Sequence, residues 1–340
     1  MRSREIGKTG IALSELGFGG GGIGEFFMRI PDRQAEETLA ALWEGGVRFY
    51  DTAPLYGYGL SELRIGQFAR RQPRGDFVLA TKVGRVLTAP ADPERQPDHG
   101  DWLGGLPFEA NVDFTRGGVL RSFEDSLQRL GLSRIDLVIV HDLTSAIYDS
   151  DTLATQWRNL EAGGWQALAE LREAGRIGAI GLGIMVLDEI PRFLDTFDLD
   201  VVYVVSSYTL LDQSAFPATL DRCHREGVSV VLAATFQSGI LAQGPVEGAR
   251  FDYRPAEPAE LERVARLDAL CRRHGVPMQA VAIQFPLAHP AVCSVLVGPI
   301  SPSEARENVR AYDHQIPGEL WDELRREGWI DAHAPTPATA

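Results

Sequence analysis

Four ionisable side chains in the first half of the chain could together perform acid–base chemistry: Asp51, Tyr56, Lys82 and His141. A lysine ammonium beside a phenol stabilises the phenolate, and is expected to lower a pKa that is about 10 in water. The aspartate would hold the lysine charged and oriented, and the histidine would donate to the same substrate oxygen. Such a tyrosine can protonate a carbonyl oxygen, or deprotonate an alcohol, while a hydride moves at the neighbouring carbon.

Each of these residues also has a purely structural interpretation. Asp51 could cap a turn, Lys82 could form a buried ion pair with it, Tyr56 could pack in the core and His141 could be a satisfied edge histidine. All four, however, follow short apolar runs, and burying polar side chains at successive strand ends costs free energy. We therefore interpret them as one catalytic set.

Eight short apolar runs recur along the chain, with stretches of helical period between most of them. The runs are Leu16–Gly19, Val47–Tyr50, Phe77–Thr81, Ile135–Val140, Ile177–Leu182, Val201–Val205, Val228–Leu232 and Val292–Val297. Short apolar strands that alternate with amphipathic helices are typical of parallel sheets buried under helices. Eight units predict an α/β fold, the closed (β/α)₈ TIM barrel, with an open doubly wound sheet as the rival. In the barrel the four ionisable side chains share the C-terminal mouth.

The intervening segments complete this prediction. Residues 4–13 predict a β-hairpin around Gly7-Lys-Thr-Gly10, which would act as an N-terminal plug. The predicted helices are Pro31–Gly45, Gly118–Leu130, Trp165–Ala174, Ser214–Glu226, Glu260–His274 and Ser303–Ala311. Three irregular segments are expected at the mouth, where loops build binding sites: Leu87–Thr115, Tyr148–Gly163 and Ala233–Ala259. One domain is predicted over 1–331, followed by a disordered Pro/Ala-rich tail over 332–340.

Composition excludes several classes of protein. The net charge of −14 argues against nucleic acid or an anionic membrane as partner. The longest apolar stretch, Ile177–Leu187, is interrupted by glycines and is shorter than the roughly 20 residues that span a bilayer. Three cysteines form no disulfide framework, which favours a cytoplasmic location. No cysteine–histidine or acidic pattern has the spacing of a zinc or calcium site, so no metal is predicted.

The glycine run Gly17-Phe-Gly-Gly-Gly-Gly22 matches the Gly-x-Gly-x-x-Gly pattern of Rossmann dinucleotide sites. That pattern requires a helix to begin at the last glycine, so that its amides meet the pyrophosphate. Here Ile23–Ile30 intervenes before any helical stretch. We interpret the run as a loop at the mouth of the barrel.

The pattern Asp51-x-x-x-x-Tyr56 with Lys82 and His141, preceded by Gly46-Val-Arg-Phe-Tyr, closely resembles the aldo-keto reductase family. The resemblance extends from about residue 4 to residue 312. Segments such as Trp102–Phe108 are similar to the branch of D-threo-aldose 1-dehydrogenases, L-galactose dehydrogenases and pyridoxal 4-dehydrogenases. The resemblance implies a barrel that binds a nicotinamide cofactor and uses Asp51, Tyr56, Lys82 and His141 in catalysis.

The resemblance also implies which loop residues contact the cofactor. They are Gly20, Gly21, Asp51, Ser207, Tyr208, Phe236, Ser238, Gly239, Leu241, Gly298, Glu307 and Asn308. Within this set, Ser238, Gly239 and Leu241 would follow the pyrophosphate, and the last two would contact the adenine. Four aromatic residues could face the substrate or simply pack: Phe26, Phe27, Trp102 and Tyr148.

Two departures from the family pattern affect the cofactor prediction. Relatives that use NADP carry Lys or Arg directly after the eighth strand, where Val297–Glu304 has an acid and no base. A 2′-phosphate needs such cations, so we predict NAD, with NADP as the alternative. Relatives usually carry an Asn after the fifth strand that holds the nicotinamide carboxamide. Ile184 and Met185 cannot do so; either Ser206 or Ser207 replaces it, or the nicotinamide is held more loosely.

The sequence therefore predicts NAD-dependent oxidation of an aldose hemiacetal or a related alcohol, with Tyr56 as general acid and base. Its partner would be a small carbonyl compound or sugar. Two alternatives stay open. One is an NADPH-dependent aldehyde or ketone reductase that runs the same chemistry backward. The other is a non-enzymatic, cofactor-sensing regulatory barrel.

Overall fold

Eight parallel strands close into a barrel in the computed structural model, which describes residues 1–337. All strands, in chain order, are β1 (Ser3–Glu5), β2 (Ala12–Ser14), β3 (Leu16–Gly19), β4 (Phe49–Asp51), β5 (Val78–Val83), β6 (Arg85–Thr88), β7 (Glu109–Val112), β8 (Leu137–His141), β9 (Ala179–Ile184), β10 (Val201–Val205), β11 (Ser229–Ala233), β12 (Arg250–Phe251), β13 (Arg254–Pro255) and β14 (Val292–Val297). The barrel runs β3-β4-β5-β8-β9-β10-β11-β14 and closes where β14 pairs with β3. The prediction of a (β/α)₈ barrel is confirmed.

The N-terminal hairpin closes the lower end of the barrel. Strand β1 pairs antiparallel with β2, with Arg4 opposite Leu13. Gly7 and Gly10 have positive φ angles of 44° and 71°, which glycine adopts at little cost in this tight turn. Ile6 and Leu13 are fully buried and pack in one cluster with Phe49 of β4 and other interior residues. The predicted plug is confirmed.

Twelve α-helices among residues 1–337 surround the barrel and cover its ends. They are α1 (Asp32–Glu44), α2 (Leu60–Ala69), α3 (Arg116–Leu130), α4 (Ser150–Asn159), α5 (Trp165–Glu173), α6 (Ile190–Thr196), α7 (Ala218–Glu226), α8 (Ile240–Gln243), α9 (Pro258–Arg273), α10 (Met278–Leu287), α11 (Pro302–Asp313) and α12 (Gly318–Arg326). In α3, for example, Thr115 accepts a hydrogen bond from the Gly118 amide at the start, and Gly131 ends the helix with φ at 63°.

Several elements differ from the sequence prediction, each for a physical reason. Helix α7 begins at Ala218 and not at Ser214, because Pro217 disfavours helical backbone in the residue before it. Helix α10 was not predicted: its residues are buried nearly all round, so the sequence shows no amphipathic stripe. The segment 148–163, predicted to be irregular, contains α4. The irregular segment predicted over 87–115 is partly ordered, because β6 and β7 form a hairpin around the loop over 89–108.

The C-terminal tail is described as far as residue 337, and residues 338–340 of the predicted disordered segment lie outside the described residues. In the described part, Ala334 is only 2% exposed, and its carbonyl accepts a hydrogen bond from Arg325. No helix within residues 1–337 has both the length and the apolar character needed to cross a membrane.

Candidate active site

The four predicted catalytic residues come together at the C-terminal mouth of three adjacent barrel strands. Asp51 ends β4, Lys82 lies in β5 and His141 ends β8, and these strands pair in that order. Tyr56 lies in the turn between β4 and α2, which Gly57 and Gly24 allow to pack tightly on the neighbouring loop. A Cβ on Gly57 would lie 2.4 Å from the Gly24 carbonyl oxygen. The backbone next to Tyr56 therefore packs tightly against the loop that contains Gly24.

Lys82 and Asp51 form a buried ion pair at the base of the mouth. The ammonium Nζ lies 2.6 Å from Asp51 Oδ2 and 2.8 Å from the Thr52 carbonyl oxygen. Both side chains are only 3% exposed. Burial raises the pKa of Asp51, and the charge of Lys82 opposes that rise. Because two of its three N–H groups are already held, the ammonium has a defined position and one donor left for the mouth.

Tyr56 lies directly over this ammonium, with Lys82 Nζ 4.5 Å from the centre of its ring. Part of the side chain remains exposed. The prediction that Lys82 lowers the pKa of this phenol is wrong for this structure. Burial raises the pKa well above its ordinary value, and the nearby Asp51 and Asp142 carboxylates raise it further. Asp51 neutralises much of the lysine charge, so the phenol is in its protonated form at neutral pH.

His141 stands edge-on to Tyr56, with ring centres 5.8 Å apart. Burial lowers the pKa of the imidazole well below its ordinary value, and the charges of Lys82 and Arg85 lower it further. The ring is therefore neutral at physiological pH, with one N–H to donate. Its Nε2 lies 3.3 Å from Asp142 Oδ2, and its Nδ1 is buried without a hydrogen-bond partner.

An aromatic wall covers one side of Tyr56. Trp102 stacks on the phenol at 5.5 Å between ring centres, and Phe26 lies 4.6 Å from Trp102. Backbone hydrogen bonds join the two loops. The Leu103 amide donates to the Glu25 carbonyl at 3.0 Å, and the Phe27 amide donates to the Asp101 carbonyl at 2.8 Å. The structure thus brings two of the four predicted substrate residues directly against the candidate site.

The other two predicted substrate residues lie further around the mouth. Phe27 stacks on Phe26 at 3.9 Å and under the guanidinium of Arg250. Tyr148 lies beneath Arg85, whose Cζ is 5.0 Å from the ring centre. A polar cleft of about 900 Å³ opens beyond Trp102, but Tyr56, Lys82 and His141 do not line it. We therefore locate the reacting atoms on the Tyr56 side of the wall.

The predicted cofactor residues lie in two groups. Around β3 and β14, Gly20 packs so closely that a Cβ would lie 2.6 Å from Ser61 Oγ, whereas Gly21 faces open space and Gly298 is exposed. On α11, Glu307 is exposed but Asn308 is buried and accepts a hydrogen bond from Gln279. Gly21 and Gly298 therefore leave room for a ligand, while Gly20 and Asn308 are occupied within the protein.

The second group follows β10 and β11. Ser207 donates to the Val205 carbonyl, and Tyr208 is fully buried among Phe216, Phe285 and His289, so its ring does not reach the mouth.

In the loop after β11, the Gly239 and Leu241 amides both donate to the carbonyl of Phe236, whose own side chain is partly exposed. The hydroxyl of Ser238 accepts from the Tyr253 amide and keeps its own proton free to donate. The loop therefore offers this hydroxyl to a ligand, while the two amides are paired.

Two buried polar atoms in these loops lack partners. Ser206 Oγ and Gln237 Oε1 make no hydrogen bond, although the Gln237 amide nitrogen donates to the Ser206 carbonyl at 3.0 Å. A carboxamide ligand has an oxygen that can accept from the Ser206 hydroxyl and an N–H₂ group that can donate to Gln237 Oε1. A nicotinamide fits this donor and acceptor set, and Ile184, fully buried, cannot contribute.

Sequence reasoning missed five residues of the mouth: Arg85, Asp142, Tyr203, Gln237 and Tyr253. Arg85 and Asp142 each follow a predicted catalytic residue closely along the chain, which was an available signal. Tyr203 lies in the middle of β10 and Tyr253 in a distant loop, so only the fold brings them near Tyr56. Burial is the main cause of the raised pKa of Tyr253. Tyr56 raises it further, because the two phenols lie close together.

Comparisons with known proteins agree with this geometry. Residues 15–326 match the aldo/keto reductase family. The chain belongs to this family. It is accordingly an NAD(P)-dependent oxidoreductase, and the predicted membership is confirmed.

Individual relatives are similar over nearly their whole length. The chain is 38% identical to pyridoxal 4-dehydrogenase of Microbacterium luteolum over 96% of this chain and 97% of that protein. It is also 38% identical to D-threo-aldose 1-dehydrogenase of a Pseudomonas species, over 97% of each. An aldo-keto reductase of Bacillus halodurans, solved in a holo form, has the same fold, with a TM-score of 0.73, 23% identity, and coverage of 100% of this chain and 98% of that one.

Within residues 1–337, no group of three or more His, Cys, Asp or Glu side chains is arranged to hold a metal ion. The three cysteines, Cys223, Cys271 and Cys293, are buried free thiols.

Proposed function

We propose that this protein is an NAD-dependent dehydrogenase that oxidises the hemiacetal of an aldose, or a related alcohol, with Tyr56 as general acid and base. The supporting observation is the Lys82 ammonium, held 2.6 Å from Asp51 and lying 4.5 Å from the Tyr56 ring centre. A buried, paired lysine beneath a partly exposed phenol at a barrel mouth supports an acid–base role for the phenol.

Tyr56, His141 and Lys82 each have a separate role in the proposed reaction. The substrate hydroxyl would lie between the Tyr56 hydroxyl and the neutral His141 ring, which donates a hydrogen bond and orients the oxygen. Tyr56 first releases its own proton to solvent, and Lys82 stabilises the phenolate that results. The phenolate then takes the hydroxyl proton of the substrate. A bound oxidised nicotinamide would supply a hydride acceptor and a positive charge at the mouth. The substrate carbon is left as a carbonyl, and Tyr56 is again a phenol.

Two residues would replace the asparagine that usually holds the carboxamide. Ser206 can donate from Oγ to the carboxamide oxygen, and Gln237 Oε1 can accept from its N–H₂ group. Both atoms are buried and unpaired, and a buried polar group without a partner is costly. We therefore assign them to the nicotinamide.

The charge near α11 supports NAD over NADP. Glu304 accepts a hydrogen bond from the Ile300 amide at 2.8 Å, which fixes a carboxylate beside the loop after β14. Arg306 and Arg310 are exposed, and Arg310 already lies 4.0 Å from Glu307. A 2′-phosphate here would face a fixed negative charge, whereas a ribose hydroxyl could donate to it.

The substrate class follows from the mouth and from relatives. The names of the two relatives at 38% identity state that they act on pyridoxal and on D-threo-aldoses at carbon 1. Trp102 and Phe26 offer flat apolar faces, on which either an aromatic ring or the C–H face of a sugar can stack. The first substrates to test are therefore L-fucose and pyridoxal.

The direct test is NAD reduction by purified protein with L-fucose or pyridoxal. Tyr56→Phe should lower kcat about 10³-fold, because proton transfer by a positioned side chain contributes 10²–10⁴-fold. Tyr58→Phe, two residues on and stacked on His99, is the matched control and should retain activity. Unchanged activity in Tyr56→Phe would overturn the catalytic assignment. Cofactor binding without activity in the unmodified protein would favour a cofactor-sensing barrel.

Cofactor choice is tested separately by fluorescence titration with NADH and NADPH. NADH should bind more tightly. If NADPH binds at least about tenfold more tightly, which is about 1.4 kcal/mol, the protein is an NADPH-dependent reductase instead.

A further inference from the structure

Arg85 is a buried arginine with no ion pair. It follows Lys82 by three residues, at the start of β6, and is only 6% exposed. None of the ion pairs within residues 1–337 includes its guanidinium, and its Nη1 is buried without a hydrogen-bond partner. An arginine is always charged, and a buried charge without a counter-ion is strongly unfavourable. Its Nη1 therefore has a hydrogen bond to give to a bound ligand.

The surroundings of Arg85 place it at the reacting end of the mouth. Its Cζ lies 5.0 Å from the ring centre of Tyr148, whose hydroxyl is also buried and unpaired. Its charge acts on His141 and Asp142, in both cases after burial as the main cause of the shifted pKa. Arg85 also lies three residues after Lys82, just beyond the mouth end of β5, so its guanidinium lies close to the catalytic groups.

Asp142 supplies an acceptor beside the catalytic imidazole. Its backbone adopts a left-handed conformation, with φ at 48°, and its amide donates to the Gly183 carbonyl at 2.8 Å. In this conformation the carboxylate turns back to the catalytic histidine, with Oδ2 3.3 Å from His141 Nε2. A non-glycine residue at positive φ costs free energy, so this placement is maintained by the surrounding structure.

A donor and an acceptor close to the catalytic imidazole match a particular chemistry. A hydroxyl group both donates and accepts, so one hydroxyl can pair with an arginine and a carboxylate together. A simple alkyl or aryl alcohol has no second hydroxyl, and it would leave the buried Nη1 of Arg85 unpaired. Sites built to bond a hydroxyl discriminate strongly against analogues that lack it.

We propose that Arg85 and Asp142 bind the hydroxyl on the carbon next to the reacting carbon, and so select substrates with adjacent hydroxyls such as aldoses. This proposal rests on the proposed dehydrogenase function and adds the residues that determine its specificity. Tyr148 completes the subsite by supporting the guanidinium and offering its own hydroxyl.

The test compares L-fucose with 2-deoxy-L-fucose, which lacks only the hydroxyl in question. In the unmodified enzyme the deoxy sugar should have a kcat/KM about 10–100-fold lower, because a hydrogen bond to a charged group is worth roughly 1.5–3 kcal/mol. Arg85→Met and Asp142→Asn should lower kcat/KM for L-fucose toward that of the deoxy sugar, and change the deoxy sugar little. The loss should lie in KM more than in kcat.

Two controls separate recognition from damage to the fold. NADH affinity by fluorescence should stay within about twofold in Arg85→Met, because the cofactor loops are elsewhere. Arg95→Met removes an exposed arginine from the neighbouring loop and should leave both sugars unaffected. Equal losses for both sugars in Arg85→Met would overturn the proposal, since they would mean that Arg85 only supports the fold.

A binding measurement makes the outcome independent of turnover. L-fucose and 2-deoxy-L-fucose are titrated calorimetrically into the enzyme saturated with NADH. Tighter binding of L-fucose that Arg85→Met abolishes supports the subsite, even where neither sugar is oxidised and the proposed function fails. Equal binding of the two sugars, or no binding of either, overturns the subsite whether or not the enzyme reduces NAD.

Discussion

Two sides of the barrel mouth differ in how their polar groups are paired. Along β4 and β5, Asp51 Oδ2 and Lys82 pair with each other inside the protein, and Asp51 Oδ1 alone lacks a partner there. In β6 and β8, and in the loops after β10 and β11, several polar atoms are buried but unpaired: Arg85 Nη1, His141 Nδ1, Ser206 Oγ and Gln237 Oε1. Native proteins leave few such atoms without partners. We infer that the first side is built for the reaction itself, and that the second is completed when ligands bind.

The largest expected effect comes from breaking the paired side. Lys82→Met should lower kcat about 10³-fold, within the range of acid–base catalysis, because the phenolate loses its cation. It should also destabilise the fold by about 3–5 kcal/mol, because the Asp51 carboxylate is left buried and alone. Thermal unfolding and steady-state kinetics measure the two effects.

A double variant separates these two effects. Asp51→Asn with Lys82→Met removes both charges, so stability should largely return while activity should not. If the single variant is as stable as the unmodified protein, then the pair does not have the structural role assigned to it.

The pH dependence tests the electrostatics of the same side. The pKa of Tyr56 is raised, so oxidation, which needs the phenolate, should accelerate by about tenfold per pH unit until that pKa is reached. The pKa of His141 is lowered, so the profile of kcat/KM should show no step near its ordinary value of about 6.5. Reduction needs the protonated phenol and should be flat from neutral pH into the mildly alkaline range. A plateau for oxidation already at neutral pH would show that Lys82 dominates the titration of the phenol.

A smaller effect is expected from the unpaired side. Gln237→Leu should weaken NADH binding about tenfold, which corresponds to one lost hydrogen bond of roughly 1–1.5 kcal/mol. Fluorescence titration measures it. The exposed Gln128→Leu on α3 is the control and should bind NADH normally. Unchanged affinity in Gln237→Leu would mean that another group holds the carboxamide.

The smallest effect concerns cofactor choice. Glu304→Gln keeps an acceptor for the Ile300 amide but removes the charge. NADPH binding should tighten about threefold relative to NADH, as expected for one partly exposed charge. If Glu304→Gln leaves the ratio of NADPH affinity to NADH affinity unchanged, then Glu304 does not contact the ribose end of the cofactor.

Much of the fold could be predicted from the sequence, because buried parallel strands leave short apolar runs with clear ends. Asp51, Lys82 and His141 could be identified because polar residues at such ends are rare without a function. The environment of Tyr56 could not be predicted. Its pKa depends on how far Asp51 cancels Lys82 and on how close Asp142 lies, which only the folded geometry decides.

The recognition residues were hidden for a related reason. Gln237 looks like an ordinary loop residue. Arg85 follows Lys82 closely, which is a signal of position, but nothing in the sequence shows that either side chain is buried with an unpaired atom. Helix α10 illustrates the same limit at the level of the fold, since burial on every face removes the periodicity that marks a helix.

The hairpin of β1 and β2 has a consequence for the order of events. With Ile6 and Leu13 sealing the lower end, residues 1–337 leave the upper mouth as the way in and out for both reactants and for the proton. Whichever reactant binds deeper in this mouth must therefore bind first and leave last, so binding and release would follow a fixed order.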